Sequence, residues 1–348
     1  MKVFVGIEGG ASFSNSILVQ EDGTVLAEAS GLALNYLLDG LEVVFQRIAD
    51  HIAELKRRSA VEVSAEVASI GLCLSGCEDE AANRLFEKKF RETFPGCAGS
   101  VTVASDVIGS IKTCAPGGGV VLIAGTGSNC FVLNPDSSTA RCGGWGHLLG
   151  DEGSGYTLAQ RGIKSIIDHD EKLRPSPYDV EPLRQVVLTH FDISSSIELL
   201  PFFYTDFRKP FIAQLAKKMS ELARSGDKLC ASLFRDIGVD LARHVRAVSG
   251  SVSRELRLER KGGLPIICVG SVFLSWDLMC EGFTETLRNV VDEFTCFQPV
   301  VNAAIGAAYH GATLAGHSIP VNFANNYRII YEYDGGRGSS RKACNGDA

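Results

Sequence analysis

An apolar, β-branched run over residues 2–7 breaks at Glu8-Gly9-Gly10-Ala11-Ser12, resumes over 16–19, turns at Glu21-Asp22-Gly23 and continues over 24–29. The same plan returns in mid-chain. Gly119-Val120-Val121-Leu122-Ile123-Ala124 runs into Gly125-Thr126-Gly127-Ser128, followed by an apolar run over 130–133, a turn at Asn134-Pro135-Asp136 and a weaker run over 139–142. Short runs of this composition between turn residues predict strands. Each copy therefore reads as a three-stranded antiparallel meander whose first hairpin turn combines glycine with a hydroxyl side chain. A chain that carries such a unit twice is constrained to two related halves.

The segments after each meander extend the parallel. After the first, Leu41, Val44, Ile48, Ile52 and Leu55 recur at helical spacing. A strand is then predicted over 67–74, a helix over 79–90, a strand over 101–104 and a helix from Val107. After the second, residues 153–261 read as mostly helical, and alternation resumes with strands over 265–269 and 297–300 and helices over 274–289 and 302–315. The chain is predicted to be α/β, with domains at 1–116 and 117–334, a hinge at Ala115-Pro116-Gly117-Gly118-Gly119 and an aperiodic Gly, Ser and charged tail over 335–348. Its 348 residues suffice for two cores.

Charge narrows the partners. A formal net charge of -7 with no basic stripe denser than Lys56-Arg57-Arg58 gives no footprint for a nucleic-acid backbone. No run approaches the ~20 apolar residues of a membrane helix, and the N-terminal apolar stretch is too short for a signal sequence. The expectation is a soluble, cytoplasmic protein that acts on small molecules, with neither nucleic acid nor membrane as a partner. Eleven cysteines without framework spacing agree with reduced thiols used as small hydrophobes.

Several residues suit phosphate chemistry. In Gly125-Thr126-Gly127-Ser128 the glycines permit close backbone approach and the hydroxyls supply donors; Glu8-Gly9-Gly10-Ala11-Ser12 stands at the equivalent place in the first meander. Either turn alone is compatible with an ordinary hairpin, whereas the pair predicts a two-jawed phosphate clamp that includes Gly10, Ser12, Thr126 and Gly127. Neither has the Lys of a P-loop. Glu8 is a candidate to hold Mg2+ through water. Asp106 ends a buried strand and precedes a helix, so it is either a helix cap or a general base at the sheet edge where ligands bind; the need of a sugar hydroxyl for a positioned acceptor favours the base. Ser75-Gly76 ends the neighbouring strand in the same manner. Residues 143–155 hold six glycines with Trp145, His147, Asp151 and Glu152, a composition suited to a sugar-binding loop. Gly270-Ser271-Val272 comes directly after a strand and would let a helix end approach a nucleotide.

The segments Glu8-Gly9-Gly10, Gly31-Leu32-Ala33-Leu34-Asn35, Leu74-Ser75-Gly76, Gly125-Thr126-Gly127-Ser128-Asn129, 143–154 and 264–272 together resemble the N-acetylglucosamine kinases of the sugar kinase, heat-shock protein and actin superfamily. The resemblance covers residues 2–333. It implies two actin-like (ribonuclease H-like) domains facing each other across a nucleotide and sugar cleft, ATP and Mg2+ as cofactors, and transfer of the γ-phosphate to the sugar 6-hydroxyl with Asp106 as base. It further implies sugar contacts at Asn35, Ser75, Asp106, Gly144, Trp145 and Asp151, and nucleotide contacts at Ser12, Thr126 and Ala213. A kinase for N-acetylmannosamine and a nucleotide-dependent activator or switch protein of the same fold are the alternatives. Oligomeric state stays open, with a homodimer as the arrangement considered.

Overall fold

The computed structural model describes residues 2–10, 13–59, 61–62, 67–259 and 261–335. The expected tail, apart from Gly335, and Ser12 of the first glycine turn lie outside the described residues. The chain divides into two compact units. The first comprises Met1–Gly118 and Phe297–Arg328, and the second comprises Gly119–Cys296 and Ile329–Ala348.

The first unit is built on a five-stranded sheet of β1 (Val3–Gly9), β2 (Phe13–Gln20), β3 (Val25–Leu32), β4 (Ser69–Leu74) and β5 (Val101–Ser105), in the order β3-β2-β1-β4-β5. β1 pairs antiparallel with β2 and parallel with β4, which pairs parallel with β5. Every residue of β4 is buried, as expected of a central strand covered on both faces. Helix Leu41–Ser59 turns Val44, Phe45, Ile48, Ile52 and Leu55 into this core. On the same face, His51 bridges two hydroxyls of β2, at 2.7 Å from Ser14 Oγ and 2.8 Å from Ser16 Oγ. Burial holds the His51 pKa below its ordinary value, so the ring is neutral and satisfied. Helix Glu80–Thr93 is capped by Asp79, which accepts the Ala82 N–H at 2.7 Å.

The second unit repeats the plan. β6 (Gly119–Ala124), β7 (Ser128–Leu133) and β8 (Thr139–Gly143) form the second meander, and β9 (Leu264–Val269) pairs parallel with β6. With β10 (Phe294–Pro299) and β11 (Tyr327–Tyr333) the sheet order is β11-β10-β9-β6-β7-β8. Between β8 and β9 the chain is helical as expected, chiefly in Gly155–Asp170, Glu181–Phe191, Lys209–Arg224 and Lys228–Val248. Among the described residues no single helix is long and apolar enough to cross a membrane; the bent pair Glu181–Phe191 and Ser196–Phe203 passes such a test together, and its Leu183, Val187, Phe191 and Leu199 are buried in this unit's core.

Two features differ from the sequence reading. Residues 297–328, expected with the second half, pack with the first unit. The cause is helix Ala304–Leu314, whose small residues Ala304, Ala307, Ala308 and Gly311 seat against glycines of the first sheet. A Cβ added to Gly6 would stand 1.9 Å from the Ala304 carbonyl oxygen, and one added to Gly71 would stand 1.9 Å from that of Ala307. Backbone meets backbone at these points, so only glycine fits. The second feature is β11, which the sequence reading does not include; Tyr331 and Tyr333 pack against Phe294 with tilted rings, at 6.0 and 5.2 Å between ring centroids.

Candidate active site

In the first unit, parallel pairing brings three chain segments to one sheet edge. Gly9 is in register with Leu74 and Leu74 with Ser105, so Gly10, Ser75 and Asp106 are the next residues at the same end. Hydrogen bonds fasten this edge: the Ser75 N–H donates to the Gly9 carbonyl at 2.8 Å, and the Leu34 N–H to the Gly10 carbonyl at 3.2 Å. The second of these draws in Asn35, whose Oδ1 accepts the Leu37 N–H at 3.0 Å and so caps the short helix Tyr36–Asp39. Gly76 adopts φ +88°, with its Cα side turned toward Leu37 and Asn35. Thus Glu8, Gly10, Asn35, Ser75 and Asp106 are brought together in one unit.

The carboxylates of this group are held against their preference to ionise. Burial raises the Asp106 pKa above its ordinary value and the negative charge of Glu78 adds to it, while the Ser105 hydroxyl, donating at 3.3 Å, opposes the shift. Glu8 is raised as well, first by burial and then by the charge of Asp106, with Asn15 Nδ2 donating to it at 3.2 Å. Beneath them Cys73 is fully buried, and its thiol is pushed far up by desolvation and by both carboxylates. Two raised carboxylates at one strand edge form the environment in which a general base is tuned toward neutrality. Asp106 opens helix Asp106–Cys114, whose N-cap position falls to Ser105.

A cation near Glu8 would offset this burial. Among the described residues no three His, Cys, Asp or Glu gather as a metal cage, so a magnesium ion there would take most of its shell from water and phosphate, as that ion prefers. The donor set fits Mg2+ held through one carboxylate.

In the second unit the turn between β6 and β7 is Gly125-Thr126-Gly127. Gly270, just after β9, has φ +112° and lies so close that an added Cβ would stand 2.3 Å from the Ala124 carbonyl oxygen. The Gly155 N–H donates to the Gly125 carbonyl at 2.8 Å, which brings helix Gly155–Asp170 against the same turn. These contacts border a cavity of about 790 Å3 lined by Gly125, Thr126, Ala213, Gln214, Ser271 and Leu274. Of the nucleotide-binding residues expected from sequence, Thr126 and Ala213 line this cavity, Gly127 completes its turn and Gly270 adjoins Ser271.

The glycine-rich loop 143–155 belongs to the same unit. Trp145 is 63% exposed, with the Arg141 guanidinium 4.9 Å from its ring centroid. Gly144 takes φ +76° against the Asn129 side chain. Asp151 is buried: its Oδ1 accepts the Ser128 N–H at 3.2 Å, and Oδ2 stands 2.6 Å from Lys209 Nζ, an ion pair without the alignment of a hydrogen bond. His147 stacks on Phe207 at 4.5 Å with its edge toward Tyr156. The residues assigned to the sugar by resemblance thus divide, with Asn35, Ser75 and Asp106 in the first unit and Gly144, Trp145 and Asp151 in the second.

Sequence reasoning does not single out Lys209 or Gln214, which occur in a helical stretch where nothing in the local pattern separates them from surface polar residues.

Two α/β units, each an antiparallel meander extended by parallel strands and carrying a glycine-rich first hairpin, define the actin-like class of fold. The chain belongs to the BadF/BadG/BcrA/BcrD ATPase family, whose sequence model matches residues 5–311. It is 24% identical over 323 residues to an N-acetyl-D-glucosamine kinase of Dictyostelium discoideum, a match spanning 87% of this chain and 97% of that one. It is 26% identical over 254 residues to an N-acetylmuramic acid/N-acetylglucosamine kinase of Clostridium acetobutylicum, spanning 71% of this chain and 79% of the relative. Among solved structures, a provisionally named N-acetylglucosamine kinase of Chromobacterium violaceum superimposes with a TM-score of 0.65 at 25% identity, over 88% of this chain and 98% of the other.

Proposed function

We propose that the chain is an ATP-dependent kinase that phosphorylates N-acetyl-D-glucosamine at the 6-hydroxyl, in amino sugar salvage in the cytoplasm. The observation that carries the reading is the desolvated Asp106 at the edge it shares with Ser75, Gly10 and Asn35. The names of the relatives supply the sugar. Asn35 and Ser75 position the acceptor, Asp106 receives the hydroxyl proton as phosphoryl transfer proceeds, and the cavity beside Thr126 and Ala213 takes the nucleotide. Glu8 would hold Mg2+ through water, which supplies charge neutralisation on the phosphates. Gly144, Trp145 and Asp151 of the second unit are proposed as sugar contacts on resemblance alone. A homodimer is part of the same reading, checked by sedimentation equilibrium.

The test is ADP release with Mg·ATP and N-acetylglucosamine, N-acetylmannosamine, N-acetylmuramic acid, glucose or no sugar. Stimulation by N-acetylglucosamine is expected, with the phosphate located on C6 by NMR of the product. ADP release that is absent, or independent of sugar, would instead favour a nucleotide switch.

The burial of Asp106 sets the pH profile. A base must be ionised to accept a proton, so kcat/KM should fall as pH drops through the pKa of Asp106 in the folded protein. Because burial raises that pKa, the acid limb should lie above the ordinary aspartate range of about 4. An acid limb at or below pH 4 would argue against Asp106 as the base.

A further inference from the structure

Lys209 opens helix Lys209–Arg224, directly before Pro210, which lines the cavity beside the Gly125–Thr126 turn. Its ammonium lies against that turn: a Cβ added to Gly127 would stand 3.1 Å from Lys209 Nζ and 3.0 Å from Asp151 Oδ1. Asp151 holds the ammonium there at 2.6 Å and is itself fixed by the Ser128 N–H. The Lys209 side chain retains 24% of its accessible surface. An ammonium has three donors, and among the described residues Asp151 is the one partner of Lys209. A cation with unused donors is therefore fixed against the Gly127 backbone, one residue before Pro210, in a cavity wall where Lys217, Lys218 and Arg224 stand against the single acid Glu221. A buried carboxylate needs some counter-ion, but a purely structural one would not have to stand at the turn with donors unused.

We propose that Lys209 is a phosphate ligand of the nucleotide site, its ammonium contacting the β- or γ-phosphate while Asp151 positions it. This rests on the kinase reading and deepens it. Truncating Lys209 alone would leave Asp151 buried and unpaired, so the variant to compare with wild type is Lys209→Met combined with Asp151→Asn, beside Lys209→Arg. Binding of ATP, ADP and AMP to the full chain is measured by calorimetry without sugar, so any role of Asp151 toward the sugar does not enter. A charged contact to phosphate is expected to account for about a tenfold difference in affinity. The double variant should lose about that factor for ATP and ADP while binding AMP as wild type does, and Lys209→Arg should retain part of the affinity. ATP affinity equal to wild type in the double variant would overturn the assignment, as would a uniform loss for all three nucleotides, which marks a structural role. If wild type itself binds no ATP, the kinase reading and this assignment fall together, whereas wild-type binding with an insensitive double variant leaves the kinase reading standing.

Discussion

Asp106→Asn is expected to lower kcat by about 10²- to 10⁴-fold, the usual contribution of a positioned general base, while the affinity for the sugar stays within a few-fold of wild type. The amide keeps the shape and can still hydrogen-bond a hydroxyl, but it cannot take its proton. Initial rates give kcat and calorimetry gives sugar affinity, so the two effects separate. The same substitution has a predictable sign on stability. The folded protein raises the Asp106 pKa, so folding binds this proton more tightly than the unfolded chain does. Stability from this group is therefore fully present below the ordinary aspartate pKa and is lost as pH rises through the raised value. At neutral pH the ionised carboxylate is a cost to folding, and the neutral amide should melt no lower than wild type. A variant inactive and no less stable would place the strain of the site in its chemistry. Normal turnover would remove Asp106 from the reaction.

That Asp106 could be chosen from sequence has a local cause. It comes after a short β-branched strand and precedes a helix, and the end of a parallel strand is a fixed place in an α/β sheet. The glycine turns were legible for the same reason, since each interrupts an apolar run at an equivalent point of a repeated meander. Asn35 was not legible from its surroundings: its role as the cap of a four-residue helix, tied through Leu34 to Gly10, depends on a chain crossing that no periodicity announces, and it was found through resemblance. Lys209 meets Asp151 across 58 residues of sequence, and a lone Lys at a helix start gives no sign of such a partner. Helix Ala304–Leu314 is legible as a helix, but its packing with the first unit is not, because its run of small residues states that something approaches closely without stating what.

That close approach yields the second large effect. Gly71→Ala is expected to destabilise the first unit by on the order of 3 kcal/mol or more, the upper end for overpacking, or roughly 6–12 °C in Tm for a domain of this size. The added methyl would stand 1.9 Å from the Ala307 carbonyl oxygen, 2.7 Å from its carbon and 3.1 Å from the Gly311 nitrogen. All three are backbone atoms, so no rotamer change relieves the clash and the helix must shift bodily. Gly306→Ala should act alike, since its Cβ would stand 2.0 Å from the Gly109 carbonyl oxygen and 2.6 Å from the Thr113 nitrogen. Gly117→Ala is the control: nothing lies within 4 Å of its Cβ and its φ is not in the left-handed region, so its effect should be near zero. Calorimetric melting of the three variants checks the series. Because Gly109 and Thr113 belong to the helix that Asp106 opens, displacement of helix Ala304–Leu314 by Gly306→Ala should also reduce turnover, which would tie the chemistry near the start of the chain to a segment close to its end. If Gly71→Ala and Gly306→Ala melt with Gly117→Ala, that helix does not close the first unit in solution, and its assignment there is wrong.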